Sequence, residues 1–135
     1  MQETPYRITV FGKPGCKKCK VLNERIDKLL GGEDFADFEK AYRGLDTEAG
    51  LVEFCNVECI NPQRIPAFVV SRFDAQARRY EPIPRTPQTD DKEAADPARL
   101  YSVLGLQTDY SGSGTISPRM IQAVLNHARR HDRPA

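Results

Sequence analysis

The chain has 135 residues, with 20 lysines and arginines against 19 aspartates and glutamates and a net charge of +1. That is the size of one domain, and the balance provides no field to gather nucleic acid or an anionic lipid surface. No stretch approaches the roughly 20 apolar residues of a membrane-spanning helix, and the start, Met1-Gln2-Glu3-Thr4-Pro5, lacks the charged-then-apolar layout of a signal peptide.

A single core, a monomer and a cytoplasmic location are therefore expected. In a reducing compartment four cysteines point to catalysis, metal binding or inert thiols rather than to a structural disulfide framework.

Tyr6 to Phe11 alternates and is rich in β-branched and aromatic residues, and Gly12-Lys13-Pro14-Gly15 ends it as a strand. From Cys16 on, Leu22, Ile26, Leu29 and Leu30 recur at helical spacing until Gly31-Gly32 stops the helix. Phe35 to Tyr42 reads as a second, partly exposed strand. Asp46 or Thr47 can then cap a short helix through Leu51, Val52 and Phe54 that ends near Cys55. Ala67-Phe68-Val69-Val70 is expected as a buried third strand. Asp74-Ala75-Gln76 connects it to Arg78 to Ile83, a shorter strand whose Pro82 suits a sheet edge.

Near the end of the chain, Ser117 as N-cap and Pro118 as first helical residue precede an apolar stripe of Ile121, Val124, Leu125 and Ala128. His127 and His131 fall in or after that helix and are expected to be solvated, with no chemical role. The segment 84–114 is too long for a simple connection. Within it Asp96-Pro97 followed by Leu100, Tyr101, Val103 and Leu104 predicts a short additional helix.

The chemistry concentrates in Gly15-Cys16-Lys17-Lys18-Cys19-Lys20. Two cysteines three positions apart at a helix start meet free backbone N–H groups and the positive end of the helix dipole, which stabilise a thiolate. Lys17, Lys18 and Lys20 add positive charge, so Cys16 is expected to titrate below the free value of about 8.5. As the nucleophile it would form a mixed disulfide, and Cys19 lies close enough in sequence to resolve it.

The run from Tyr6 to Leu30 resembles the first strand, active-site turn and first helix of thioredoxins and glutaredoxins. Ile65-Pro66-Ala67-Phe68-Val69-Val70 looks like the element in that superfamily where a cis-proline begins the third strand beside the cysteine pair. Gly114-Thr115-Ile116-Ser117 and the final helix are also similar to a thioredoxin C-terminus.

The resemblance implies an α/β, thioredoxin-like fold of the shorter, glutaredoxin type. It would form one domain over 1–135, with a central mixed four-stranded sheet flanked by helices and a family-specific insertion at 84–114. It also implies thiol–disulfide exchange on protein disulfides with electrons from an unidentified reductase and no bound cofactor. Ile65 and Pro66 would help form the groove where an extended substrate strand docks, with Arg64 flanking it as part of the substrate-binding set. The pattern departs from the family at Lys17-Lys18, which is neither Gly-Pro nor Pro-Tyr, and no Gly-Gly-plus-aspartate element for glutathione is found.

Cys55 and Cys59, at i and i+4, admit several readings: small buried apolar residues, a second redox pair relaying electrons, or metal ligands. Together with Cys16 and Cys19 they could surround one zinc ion or an iron–sulfur centre, which would make the chain a metal-binding module. A non-catalytic interaction module on the same fold is the third alternative.

Overall fold

The computed structural model describes residues 4–57, 66–84, 103–107 and 116–131. Its elements in chain order are β1 (Tyr6–Gly12), α1 (Lys17–Leu30), β2 (Phe38–Gly44), α2 (Glu48–Val57), β3 (Ala67–Asp74), β4 (Arg79–Pro82), β5 (Gly105–Gln107) and α3 (Pro118–His131). The strands form one mixed sheet in the order β2-β1-β3-β4, with β5 also paired to β3. β1 and β2 are parallel, Tyr6 opposite Phe38 through Gly12 opposite Gly44, because a helix of α1's length can carry the chain back across the sheet. β3 is antiparallel to β1, with Phe11 opposite Ala67.

Alternation along the strands divides the core between two faces. Ile8, Val10, Phe68 and Val70 share a cluster with Leu22 and Ile26 of α1 and with Ile121, Val124, Leu125 and Ala128 of α3. The other face carries Phe11, Ala67 and Val69, packed with Phe54 of α2 and with Val103. Phe11 and Phe54 meet edge to face, ring centroids 5.0 Å apart. Helices on both faces of a mixed sheet are the α/β arrangement expected from the residues.

Local signals set the element ends. Thr47 caps α2, its Oγ1 accepting from the Gly50 N–H at 3.0 Å, and Ser117 caps α3, its Oγ accepting from the Met120 N–H at 3.2 Å. In the β3–β4 hairpin the Asp74 carboxylate accepts from the N–H groups of Gln76 and Ala77. Arg78 takes a positive φ of 57°, which is why β4 starts at Arg79 and not at Arg78.

Three expectations need correction. β2 begins at Phe38 rather than Phe35, because the preceding residues form turns closed by Ala36 N–H to Glu33 O and Phe38 N–H to Phe35 O. Phe35 is still buried, edge to face with Phe38.

Val103 and Leu104 belong to the sheet edge, not to a helix. Leu104 donates to Ile83 O at 2.7 Å and accepts from the Val70 N–H at 3.0 Å, while Val103 bridges Pro84. β4 and β5 are thus two lengths of one edge line along β3, interrupted between Pro84 and Val103, so the segment after Pro84 contributes a strand. The rest of the expected helix, Asp96 to Tyr101, lies outside the described residues.

His127 is buried, 5% exposed, not solvated: it lies beside Val124 and Ala128 on α3, at the flank of the apolar stripe. His131 is the last residue of α3. Among the described residues, no helix is long and apolar enough to cross a membrane.

Candidate active site

Parallel pairing brings the C-terminal ends of β1 and β2 to one end of the sheet, and the antiparallel β3 starts there. From that end the chain must turn out of β1 into α1. Gly15 makes the turn with φ +77°, a conformation that disfavours any side chain with a Cβ. Cys16 follows in extended conformation as the N-cap of α1.

Its Sγ accepts a hydrogen bond from the Cys19 backbone N–H at 3.2 Å, and its carbonyl accepts the first helical bond, from Lys20 N–H at 3.1 Å. A sulfur in that position faces the unsatisfied N–H groups of the helix start, where negative charge is favoured. The first turn holds no acidic residue. Lys13, Lys17 and Lys20 are exposed and Lys18 half-buried, and none of the four is in an ion pair among the described residues.

Cys16 and Cys19 are joined in a disulfide, their Cα atoms 5.2 Å apart. The two sulfurs differ in access: Cys16 is half-buried, whereas Cys19 is 2% exposed. An incoming thiol or disulfide therefore meets Cys16 first. Pro66 is buried immediately before β3, one step beyond the Phe11–Ala67 pair and so at the same end of the sheet as the disulfide. The fold is thioredoxin-like.

No protein-family model and no curated protein matches the sequence. Among solved structures the chain is similar to G4, the poxviral disulfide oxidoreductase essential for cytoplasmic disulfide bond formation. The identity is 10% and the TM-score 0.40, over 90% of this chain and 92% of that one. A likeness of that degree leaves the functional argument to the residues themselves.

The first turn of α1 is tied to β2. Asn23 Nδ2 donates to the Cys19 carbonyl at 3.1 Å, and Lys40 Nζ donates to Asn23 Oδ1 at 3.3 Å and pairs with Asp27 at 2.7 Å. Positions 19, 23 and 27 form one row of α1, at i and i+4 spacing, facing the row of Lys40 and Tyr42 on β2. On the other side Arg25 donates to the Ile116 carbonyl at 2.7 Å, linking α1 to the approach to α3.

Two residues at the site were not singled out from the sequence. Gly12 lies so near Cys19 that a Cβ there would meet Cys19 Sγ at 3.0 Å, Cys19 Cβ at 3.1 Å and the Tyr42 hydroxyl at 3.3 Å. Burial pushes the Tyr42 phenol up from its ordinary value, and the Asp46 carboxylate adds to the effect. The available signal was the parallel pairing of two adjacent strands, which puts Tyr42 opposite Val10.

Of the other candidates, Arg64, Ile65 and Cys59 lie outside the described residues. Cys55 is a free thiol exposed on α2, which corrects the reading of it as a buried apolar residue. Among the described residues, no three His, Cys, Asp or Glu side chains group as metal ligands would.

Proposed function

We propose that the chain is a thiol–disulfide oxidoreductase acting on protein disulfides, with Cys16 as nucleophile and Cys19 as resolving thiol. One observation carries the reading: the disulfide is built from the N-cap residue of α1 and a buried partner one turn on. The Cys16 thiolate attacks a substrate disulfide, forming a mixed disulfide and releasing one substrate sulfur as a thiolate that takes a proton from solvent. Deprotonated Cys19 then attacks the Cys16 sulfur. The Cys16–Cys19 bond forms and the second substrate sulfur leaves, so the protein dithiol is oxidised by two electrons and the substrate disulfide is reduced to two thiols.

Lys17 and Lys18 favour the Cys16 thiolate, and Arg64, Ile65 and Pro66 orient an extended substrate strand beside the pair. The burial of Pro66 at the disulfide end of the sheet supports that placement. A reductase is the partner that would return the pair to the dithiol, with the chain acting as a cytoplasmic monomer. The disulfide also favours redox chemistry over the zinc or iron–sulfur reading, in which both sulfurs would be thiolate ligands.

Titration against a dithiol buffer, with mass spectrometry of the trapped thiols, tests the proposal. The expected result is a reversible two-electron transition confined to Cys16 and Cys19, between roughly −120 and −270 mV. Cys19→Ser should accumulate a mixed disulfide through Cys16. Absence of both the transition and the adduct would overturn the reading.

A further inference from the structure

The Tyr42 hydroxyl and the Cys19 sulfur border the same gap over a residue without a side chain. A Cβ at Gly12 would meet the sulfur at 3.0 Å and the hydroxyl at 3.3 Å, so the two flank one small space that a single water, or a turn of the Cys19 side chain once its sulfur is released, can close. In the disulfide Cys19 Sγ is held by Cys16. When that bond opens, the sulfur is left 2% exposed at its residue, in surroundings where an unpartnered thiolate would be costly.

Among the described residues, the charged or titratable groups on the elements around it are Cys16, Lys18 and Lys20 on its own turn, Asp27 farther along the same row of α1, and Lys40, Tyr42 and Asp46 on β2 and the turn after it. Lys40 is engaged with Asn23 and Asp27, Asn23 already donates to the Cys19 carbonyl, and at Gly12 β1 offers no side chain.

We propose that Tyr42 is the hydrogen-bond partner of the resolving sulfur: across the space left by Gly12, its hydroxyl donates to the Cys19 thiolate. The proposal rests on the exchange reading above and adds to it the group that makes the buried thiol reactive. Cys19 must lose its proton to solvent before it attacks the mixed disulfide, and a donor aimed at the charged form favours that loss. Tyr42 suits the task because its phenol is 40% exposed as a residue, anchored on an edge strand beside the site, and kept protonated by its surroundings. Gly12 is then a specific requirement, since a side chain there would crowd both groups.

The test compares titration midpoints of the two cysteines, read from the Cβ resonances of cysteine-labelled full-length protein. Cys19 is followed in Cys16→Ser and Cys16 in Cys19→Ser, each with and without Tyr42→Phe. Tyr42→Phe is expected to raise the Cys19 midpoint by about one pH unit and to leave the Cys16 midpoint in place. The resolution step at neutral pH should slow about tenfold with the thiolate fraction. Gly12→Ala, with Tyr42 retained, should raise the Cys19 midpoint in the same direction.

A Cys19 midpoint unmoved by Tyr42→Phe, or an equal rise at both cysteines, would overturn the proposal. The midpoints are read without any exchange reaction. A pair that fails the redox titration therefore refutes the oxidoreductase reading, whereas an unmoved Cys19 in a pair that passes it refutes the role of Tyr42 alone.

Discussion

Gly12→Ala adds one methyl group at the most crowded point of the site. The new carbon would stand 3.1 Å from Cys19 Cβ and 3.0 Å from Cys19 Sγ, against an optimal separation of about 3.5 to 4.0 Å for carbon pairs. Relief by moving Cys19 is resisted on several sides. Its N–H is bonded to Cys16 Sγ, its carbonyl to Asn23, and α1 is buried on the sheet through Leu22 and Ile26. The neighbouring Phe11 is also fully buried, so β1 has little room to retreat.

Overpacking of this kind costs about 1 to 3 kcal/mol, and the oxidised protein should lose stability in that range. In the dithiol, Cys19 Sγ is free to rotate away from the added methyl, so the reduced protein should lose less. Urea unfolding of both forms, wild type beside Gly12→Ala, measures the two losses. A difference of about 1.4 kcal/mol between them corresponds to a tenfold shift of the exchange equilibrium towards the dithiol. A loss below about 0.5 kcal/mol in the oxidised form, or a larger loss in the reduced form, would refute the packing argument.

Glu39 accepts from Arg7 at 3.0 Å and from the Tyr80 hydroxyl at 2.9 Å. Burial works to raise its carboxyl, but those hydrogen bonds and the charge of Arg7 prevail and hold it below the usual range. A carboxyl lowered in the folded state stabilises the protein above its unfolded value and loses that contribution as pH falls through the folded value. Glu39→Gln should therefore cost about 0.5 to 1 kcal/mol at neutral pH, in keeping with a partly solvated pair, and the difference should shrink on acidification in paired urea titrations. Ser117→Ala removes the cap of α3 and should cost about 1 kcal/mol in thermal or urea unfolding. Lys17→Gln combined with Lys18→Gln should raise the pH at which Cys16 becomes reactive, seen as a slower alkylation rate at neutral pH with an unchanged limiting rate at high pH.

What could be read from the residues was what is decided locally. The strand before Gly12, the turn at Gly15, the cysteine pair and the amphipathic α1 depend on neighbours within a few positions, and Thr47, Ser117 and Asp74 act as caps and turn formers on their own backbone. What escaped is fixed by distant partners. Leu104 has helical spacing to Leu100, yet its hydrogen bonds go to Ile83 and Val70, and Gly105–Gln107 is too short to show alternation. Tyr42 read as a residue of a half-exposed strand, and Gly12 as a strand end. Their meeting with Cys19 comes from the register of β2 against β1 and the seating of α1 above both. His127 misled because its place in the helix suits a polar flank, whereas the fold covers that flank.

The split edge strand carries a consequence for how the gene can vary. Pro84 and Val103 face each other across a bridge, and Ile83 and Leu104 are hydrogen-bonded, so the ladder holds the two ends of the excursion together whatever its length. Closing a loop costs only about 0.6 kcal/mol more for each doubling of its length. Residues can therefore be lost or gained between those anchors with little effect on the sheet, provided Val103 still fills its place among Phe11, Phe54, Ala67 and Val69. A recognition segment grafted between Pro84 and Val103 would leave the cysteine pair at the start of α1 untouched by the change in length.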